Sequence, residues 1–403
     1  MTREEVYIEC LTKLEKSDFL LLELATGMGK SKQAIDIINY LVKTKYQGKH
    51  TSMLLLVAKT VHKQTWKDEF KKWGGINVDE LTIECYESLK KHEYESFDFV
   101  VMDECHHLHS DKRLDLFSTL TYGNVIGLSA TIPKKLKQYF QYEYAAEVVT
   151  CSIADAIEDE VLPEPQIILY PLQLDNVRPT ESIELNPKTK GKAHYGNYNE
   201  LWKYRKMKVH AIISCTPRQR VNEYNSLILY ERNRYMRTRQ DFLKNKWLFD
   251  CGERIKYLAN LKNNIVLSIL QRLEKERTIT FCKTIEQADI LGKYSIHSKN
   301  KDSDIIYNNF NAKKINHIVS VNVLNEGANL VDCKYAVFAN YSSSEICSAQ
   351  RVGRSLRHKS PVIILPYYET TREEEIVNTM IGSFKEESIH TIHSLKELDK
   401  FIQ

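Results

Sequence analysis

The sequence is poor in the features that would take it out of ordinary globular chemistry. No apolar stretch approaches the ~20 residues that cross a bilayer, and the opening MTREEVYIEC is acidic, without the apolar core of a secretory leader. A cytoplasmic protein with no membrane partner is expected. The nine cysteines stand singly at 10, 85, 105, 151, 215, 251, 282, 333 and 347. None forms a C-x-x-C pair, which argues against a zinc ribbon or a disulfide framework and suits a reducing compartment. There is no low-complexity tract and no short-period repeat. No coiled-coil heptad suggests an oligomer.

What the chain does have is a basic stretch in an otherwise acidic protein. Its 403 residues are 42% apolar and 27% charged, ordinary for a globular chain and enough for two or three domains with full cores. The formal net charge is only +4. Residues 173–262, however, hold 19 Lys and Arg against 9 Asp and Glu, a net of +10 that leaves the remainder at −6. Such concentration points to a polyanionic partner; a helical brace packed on the second domain, its arginines merely solvated, is the bland alternative.

The sharpest local signal is LATGMGKS at 24–31. It follows an apolar run, Phe19 to Leu24, that reads as a buried strand, and precedes an amphipathic run, Lys32 to Val42, with helical spacing. A Gly-rich turn from strand to helix aims backbone N–H groups and a helix N-terminus at one point, an arrangement that binds phosphate. Lys30 is then placed to reach the β- and γ-phosphates and the Ser31 hydroxyl to hold Mg2+. Leu24 stands where the strict GxxxxGK[ST] pattern has its first Gly.

Short apolar runs alternate with helical patterns over 1–162. FLLLEL (19–24), MLLLVA (53–58), LTIEC (81–85), FDFVVMD (97–103) and NVIGLSA (124–130) read as strands, and HKQTWKDEFKKW (62–73) as a helix. The alternation predicts an α/β domain whose parallel sheet is covered on both faces and binds ligands at the carboxyl ends of its strands. A second region of the same kind occupies 163–403. Its strands are QIILYPL (166–172), TITFC (278–282), HIVSV (317–321), YAVFANY (335–341) and VIILPY (362–367). The basic segment, about 175–262, interrupts it after its first strand. Residues 175–198, with Pro179, Pro187, Gly191 and Gly196, read as loop. Residues 199–262 read as helix, including NELWKYRKMK (199–208) and YERNRYMRTRQDFLKNKW (230–247), where aromatic and basic side chains interleave.

FDFVVMDECHH (97–107) is an apolar strand ending in acids. Beside a phosphate loop, Asp103 is the residue to hold Mg2+, directly or through its waters, and Glu104 the one to polarise an attacking water. Without the loop, the same residues read as a solvated turn. A metal cluster at Cys105, His106, His107 and His109 is the weaker alternative, because adjacent residues of an extended chain point to opposite sides and no second ligand pair is in place. QRVGRSLR (350–357) has helical spacing. Arg354 and Arg357, three apart, share a face, which suits the dispersed charge of a phosphoryl transition state; a solvated basic helix is the bland alternative.

In order, the chain presents LATGMGKS, LLLVAKTVHKQTW, DECH, SAT, TITFCKTIEQADIL, VNVLNEGANL and QRVGRSLR. This series resembles motifs I, Ia, II, III, IV, V and VI of superfamily 2 helicases and translocases. It is most similar to the DEXH-type branch of restriction-enzyme motor subunits, phage UvsW-like helicases and Swi/Snf-type remodellers, and covers about 19–360 apart from the basic insertion. The resemblance implies two RecA-like domains around an ATP cleft, 1–162 and 163–403, with a mainly helical basic insertion in the second.

By position, the resemblance assigns Thr26, Gly27, Met28, Gly29, Lys30 and Ser31 to the triphosphate, with Ser31 and Asp103 on Mg2+ and Glu104 on the water. His106, Ser129 and Thr131 couple ATP state to nucleic-acid grip. Glu326 and Gly327 sense nucleotide from the second domain, and Gln350, Arg354 and Arg357 complete the site. Lys59, Thr60 and His62, then Lys283, Thr284, Ser320 and Asn322, are the expected contacts to a strand held through its phosphates. Two positions depart from the pattern. No Gln precedes Gln33, so the family's adenine-reading Gln is missing, and Leu356 replaces a Gly in the last motif. The expected activity is an ATP-dependent motor moving 3′ to 5′ on single-stranded, forked or duplex DNA, of the stand-alone phage or bacterial kind. An RNA helicase, a duplex translocase that does not separate strands, and a non-catalytic nucleic-acid scaffold are the competing readings.

Overall fold

The computed structural model describes residues 1–185, 211–321, 330–341, 352 and 358–402. A helix, α1 (Arg3–Leu14), opens the chain under a capping box made by Thr2 and Glu5. The first sheet follows, with strands β1 (Phe19–Leu24), β2 (Ser52–Val57), β3 (Glu80–Cys85), β4 (Ser96–Asp103), β5 (Thr121–Ser129) and β6 (Glu147–Cys151). They lie in the order β3-β2-β4-β5-β1-β6, every pair parallel. The connecting helices are α2 (Lys30–Thr44), α3 (Thr60–Lys72), α4 (Asp111–Ser118), α5 (Lys134–Tyr144) and α6 (Ile153–Glu158).

Continuous apolar strands are what a sheet covered on both faces requires. Leu20, Leu22 and Leu24 of β1 join one core cluster with Met53, Leu55 and Val57 of β2. Phe19 and Leu21 join the cluster on the opposite face with Leu54 and Leu56.

The second sheet takes β7 (Gln166–Leu172), which leaves the first region and pairs parallel with a strand almost 200 residues later. Next in the chain come β8 (Glu181–Leu185) and β9 (Ala211–Cys215), then α7 (Pro217–Thr238), α8 (Asp241–Leu261) and α9 (Asn263–Arg272). The rest is β10 (Thr278–Phe281), α10 (Ile285–Leu291), β11 (Ser295–Ile296), α11 (Ser303–Asn311), β12 (His317–Ser320), β13 (Tyr335–Phe338), β14 (Val362–Tyr368), α12 (Arg372–Ile381), β15 (Ile389–Thr391) and α13 (Leu395–Leu398). The sheet order is β11-β12-β10-β13-β14-β7-β15. The two expected parallel-sheet α/β domains are both present. No helix among the described residues is long and apolar enough to cross a membrane.

The insertion departs from expectation in one respect. Residues 181–185 and 211–215, read as loop and helix, instead pair antiparallel as a separate two-stranded ladder, β8 with β9. Pro179 and Pro187 flank β8, and its partner is some 30 residues away, so no local pattern announces the pairing. Pro217–Thr238 and Asp241–Leu261 are helical, as expected. α7 starts at a capping box of Thr216 and Gln219 with Pro217 in its first turn, and ends at Arg239 in a left-handed turn that returns the chain along α8. Glu231 is fully buried and pairs with Arg234 on its own helix and with Lys246 on α8. Part of the basic charge is therefore internal to the hairpin, while Arg232, Arg237 and Arg239 are exposed. Lys262, at the foot of the hairpin, is completely buried. Its ammonium donates to Glu373 of α12 at 2.6 Å and lies over the Tyr341 ring.

Candidate active site

β1 delivers the chain into the phosphate loop. Gly27 (φ +104°) and Gly29 (φ +84°) hold left-handed conformations open to glycine, and Gly29 is the N-cap of α2. At Gly27 a Cβ would also come within 2.8 Å of Leu162. The first turn of α2 thus carries Lys30 and Ser31, and the first N–H groups of a helix find no acceptor within it. Lys30 Nζ folds back and donates to the Leu24 carbonyl at 3.0 Å, at the place where the strict motif has its first Gly. α1 latches this loop. Arg3 donates to the Gly27 carbonyl (3.1 Å), and Gln33 Nε2 donates to the Arg3 carbonyl (2.7 Å).

The loop floors a cleft of about 760 Å3. Its walls come from α1 (Arg3, Glu4, Tyr7), from α3 (His62, Thr65, Trp66, Trp73 just beyond it) and from the end of β4 (Asp103, Glu104). Asp103 is the last residue of β4, held at the cleft floor. The Trp66 indole donates to its Oδ2 at 2.9 Å, and the Tyr86 hydroxyl donates to its backbone carbonyl at 2.8 Å. Burial, with the Glu104 carboxylate next door, pushes the Asp103 carboxyl up to about 6, against the pull of the Trp66 hydrogen bond and the Lys30 charge. A carboxylate held in that condition is short of positive charge. The donor set around it, carboxylate and hydroxyl oxygens from Asp103, Glu104 and Ser31, is the hard-oxygen set that suits Mg2+.

Glu104 takes a left-handed backbone (φ 51°, ψ 55°) that costs a non-glycine residue about 1 kcal/mol or more. The turn brings its carboxylate to β5. Ser129 Oγ, at the end of that strand, lies 3.3 Å from Glu104 Oε2, 3.0 Å from His106 Nδ1 and 2.8 Å from the Thr131 carbonyl. The Thr131 N–H donates back to Ser129 Oγ at 3.3 Å. The three coupling residues expected from the sequence are therefore in one hydrogen-bonded group with Glu104. Of the Cys–His run, His106 is committed to Ser129 and His109 lies against the His106 carbonyl. Among the described residues no group of three or more His, Cys, Asp or Glu is arranged around an ion.

The expected strand contacts divide. Lys59 and Thr60 are exposed at the start of α3, and Lys283 and Thr284 are partly exposed, with Thr284 capping α10 through the Gln287 N–H. His62 is not a surface contact but buried on the cleft side, because His62, Trp66 and Phe70 fall at four-residue spacing on the inner face of α3. Ser320 is also fully buried, at the end of β12. Asn322, Glu326, Gly327, Gln350, Arg354 and Arg357 lie outside the described residues, as does 199–208.

Four residues of the site escaped the sequence reading. Arg3 and Gln33 latch the loop, Trp66 holds Asp103, and Glu23 ties β1 to the segment after Ser129. Glu23 Oε1 accepts from the Ile132 N–H at 2.8 Å, and its other oxygen pairs with Lys137. A lone carboxylate inside the apolar run FLLLEL was the available signal for Glu23.

Two parallel α/β sheets in one chain, with a phosphate loop and an acid pair in a shared cleft of the first, define a nucleotide-hydrolysing motor core. Comparison with known families gives that class its name. The family of the type III restriction enzyme res subunit matches residues 3–134, and the helicase conserved C-terminal domain matches residues 261–359. The chain belongs to the superfamily 2 helicases and is an ATP-hydrolysing enzyme.

Solved structures share the fold. Dbp5 of S. cerevisiae, bound to RNA and ADP BeF3, superposes with a TM-score of 0.59 at 12% identity, over 99% of this chain and 92% of that one. The type ISP restriction-modification enzyme LlaBIII, bound to DNA, gives 0.56 at 14% identity, over 100% of this chain but 32% of its own length. The Hef helicase domain of Pyrococcus furiosus gives 0.50 at 15% identity, over 94% of this chain and 97% of that one. No curated protein matches the chain in sequence.

Proposed function

We propose that this motor works on DNA, moving 3′ to 5′ and separating or remodelling strands as a monomer, with residues 1–162 and 163–403 as its two domains. The match of residues 3–134 to a restriction-enzyme motor subunit carries this reading. The exposed Arg232, Arg237 and Arg239 of the insertion support a polyanion contact outside the cleft.

In the site, the N–H groups from Gly27 to Ser31 and the Lys30 ammonium hold the β- and γ-phosphates of ATP. Asp103 and the Ser31 hydroxyl would hold Mg2+, which would supply neutralisation of charge on the phosphate oxygens. Glu104 orients the attacking water and takes its proton. By the family resemblance Arg354 and Arg357 would complete the site at the γ-phosphate, a contribution typically worth ~10³–10⁵ in rate. Ser129, with His106 and Thr131, relays the state of Glu104 toward the strand, whose phosphates meet Lys59 and Thr60 on the first domain.

The test is ATP hydrolysis at low salt with no polynucleotide, single-stranded DNA, forked DNA and RNA in parallel. Stimulation by DNA and not RNA is the expected result, with the fork-to-single-strand ratio separating a remodeller from a translocase. Stimulation by RNA alone overturns the DNA assignment.

A further inference from the structure

Helix α3 runs from an exposed first turn to the wall of the cleft. Its first turn carries Thr60, exposed, with Lys59 just ahead of it. Six residues on, about 9 Å along the axis, its inner face carries Trp66. That ring is 3% exposed, packs on Phe70 with centroids 5.5 Å apart, and donates its indole N–H to Asp103 Oδ2 at 2.9 Å. An indole is a donor only and carries no charge. It therefore occupies one oxygen of the carboxylate in a fixed direction without competing, as a lysine would, for the cation the other oxygen is to hold.

From this geometry we infer that Trp66 is the positioning residue of Asp103, and that α3 transmits strand engagement at Lys59 and Thr60 to that carboxylate through this hydrogen bond. The inference rests on the reading of Asp103 as an Mg2+-holding group. A strand seated on the first turn of α3 fixes the helix, the helix fixes the indole, and the indole fixes the carboxylate. Strand binding thereby tightens Mg2+ and nucleotide, and by linkage Mg2+ with nucleotide tightens the strand.

The experiment uses the full chain with Trp66 replaced by benzothienylalanine, an isostere with sulfur in place of the N–H, and in parallel Trp66→Phe. A fluorescent ADP analogue is titrated with Mg2+, with and without oligodeoxythymidylate or oligouridylate, and kcat and KM for ATP are measured alongside. The isostere is expected to raise the half-saturating Mg2+ by ~10-fold, the loss of a hydrogen bond to a charged group, and to abolish the tightening by oligonucleotide. A wild-type Mg2+ requirement and oligonucleotide response in the isostere overturn the inference. So does a defect confined to Trp66→Phe, which would assign the ring to packing alone. If the wild-type chain binds the analogue without regard to Mg2+, the reading of Asp103 falls as well, which distinguishes the two failures. If it tightens with neither oligonucleotide, the transmission through α3 is wrong.

Discussion

Ser129 Oγ lies 3.0 Å from Nδ1 of His106, joining the end of β5 to the turn after β4. The same oxygen is within 3.3 Å of the Glu104 carboxylate. The residue expected to take the water's proton and the residues expected to report on it therefore share one hydroxyl.

Ser129→Ala should uncouple hydrolysis from work. It removes the hydroxyl and leaves β5 packing intact, so stimulated ATP turnover should fall only a few-fold while strand displacement falls ~5- to 150-fold, the usual span of a coupling energy. Parallel ATPase and fork-unwinding assays check this. Equal losses in both would mean that the hydroxyl supports catalysis and not coupling.

Lys30→Ala should cut hydrolysis by ~10²-fold or more, because a preorganised cation at the phosphates is lost. Nucleic-acid binding should survive, since Lys30 sits in the cleft and donates to the Leu24 carbonyl there. Turnover and a filter-binding isotherm on the same preparation decide it.

Asp103→Asn should stabilise the nucleotide-free protein while destroying its activity. The folded-state carboxyl is raised from 3.8 to about 6, so the folded protein binds more protons than the unfolded chain between those values and loses stability as pH rises through them. The cost is fully present above about pH 6 and absent below about pH 4. Thermal melts in EDTA should therefore show a higher Tm for the variant at pH 8 and no difference at pH 4.

Replacing Arg232, Arg237 and Arg239 by Gln should flatten the salt dependence of DNA binding. These three are exposed, whereas Arg234 is engaged with buried Glu231. The slope of log K against log salt should drop by ~2–3. An unchanged slope would make the hairpin a brace.

Lys262→Ala should destabilise the second domain by about 3–5 kcal/mol, because it strands the Glu373 carboxylate without its buried partner. Lys262→Met, which keeps the volume, removes the same charge; pairing it with Glu373→Gln should recover most of the loss. Urea unfolding of the three variants is the measurement.

Much of the fold was legible because it is periodic. FLLLEL, FDFVVMD and QIILYPL are strands where their composition put them, and the ends of α2 and α3 fall within two residues of the expected helices. The phosphate loop was legible too, since Gly27 and Gly29 ahead of Lys30 and Ser31 are a local requirement. The burial of His62 was not legible, for the opposite reason. Its sequence neighbours Lys59 and Thr60 face solvent, and only the rotation of the helix turns position 62 inward.

The sequence alone determined that this chain makes two parallel α/β sheets, carries a phosphate loop on the first, and ends β4 in an acid pair. Those properties depend on side chains within a few residues of one another. The tertiary structure decided which distant groups meet. The strand order β4-β5-β1 brings Glu104 to Ser129 and Glu23 to Ile132, the packing of α3 brings Trp66 to Asp103, and a ladder across some 30 residues makes a sheet of β8 and β9. Hydrogen bonds of this kind form only after the sheet has ordered its strands, and no local periodicity encodes that order.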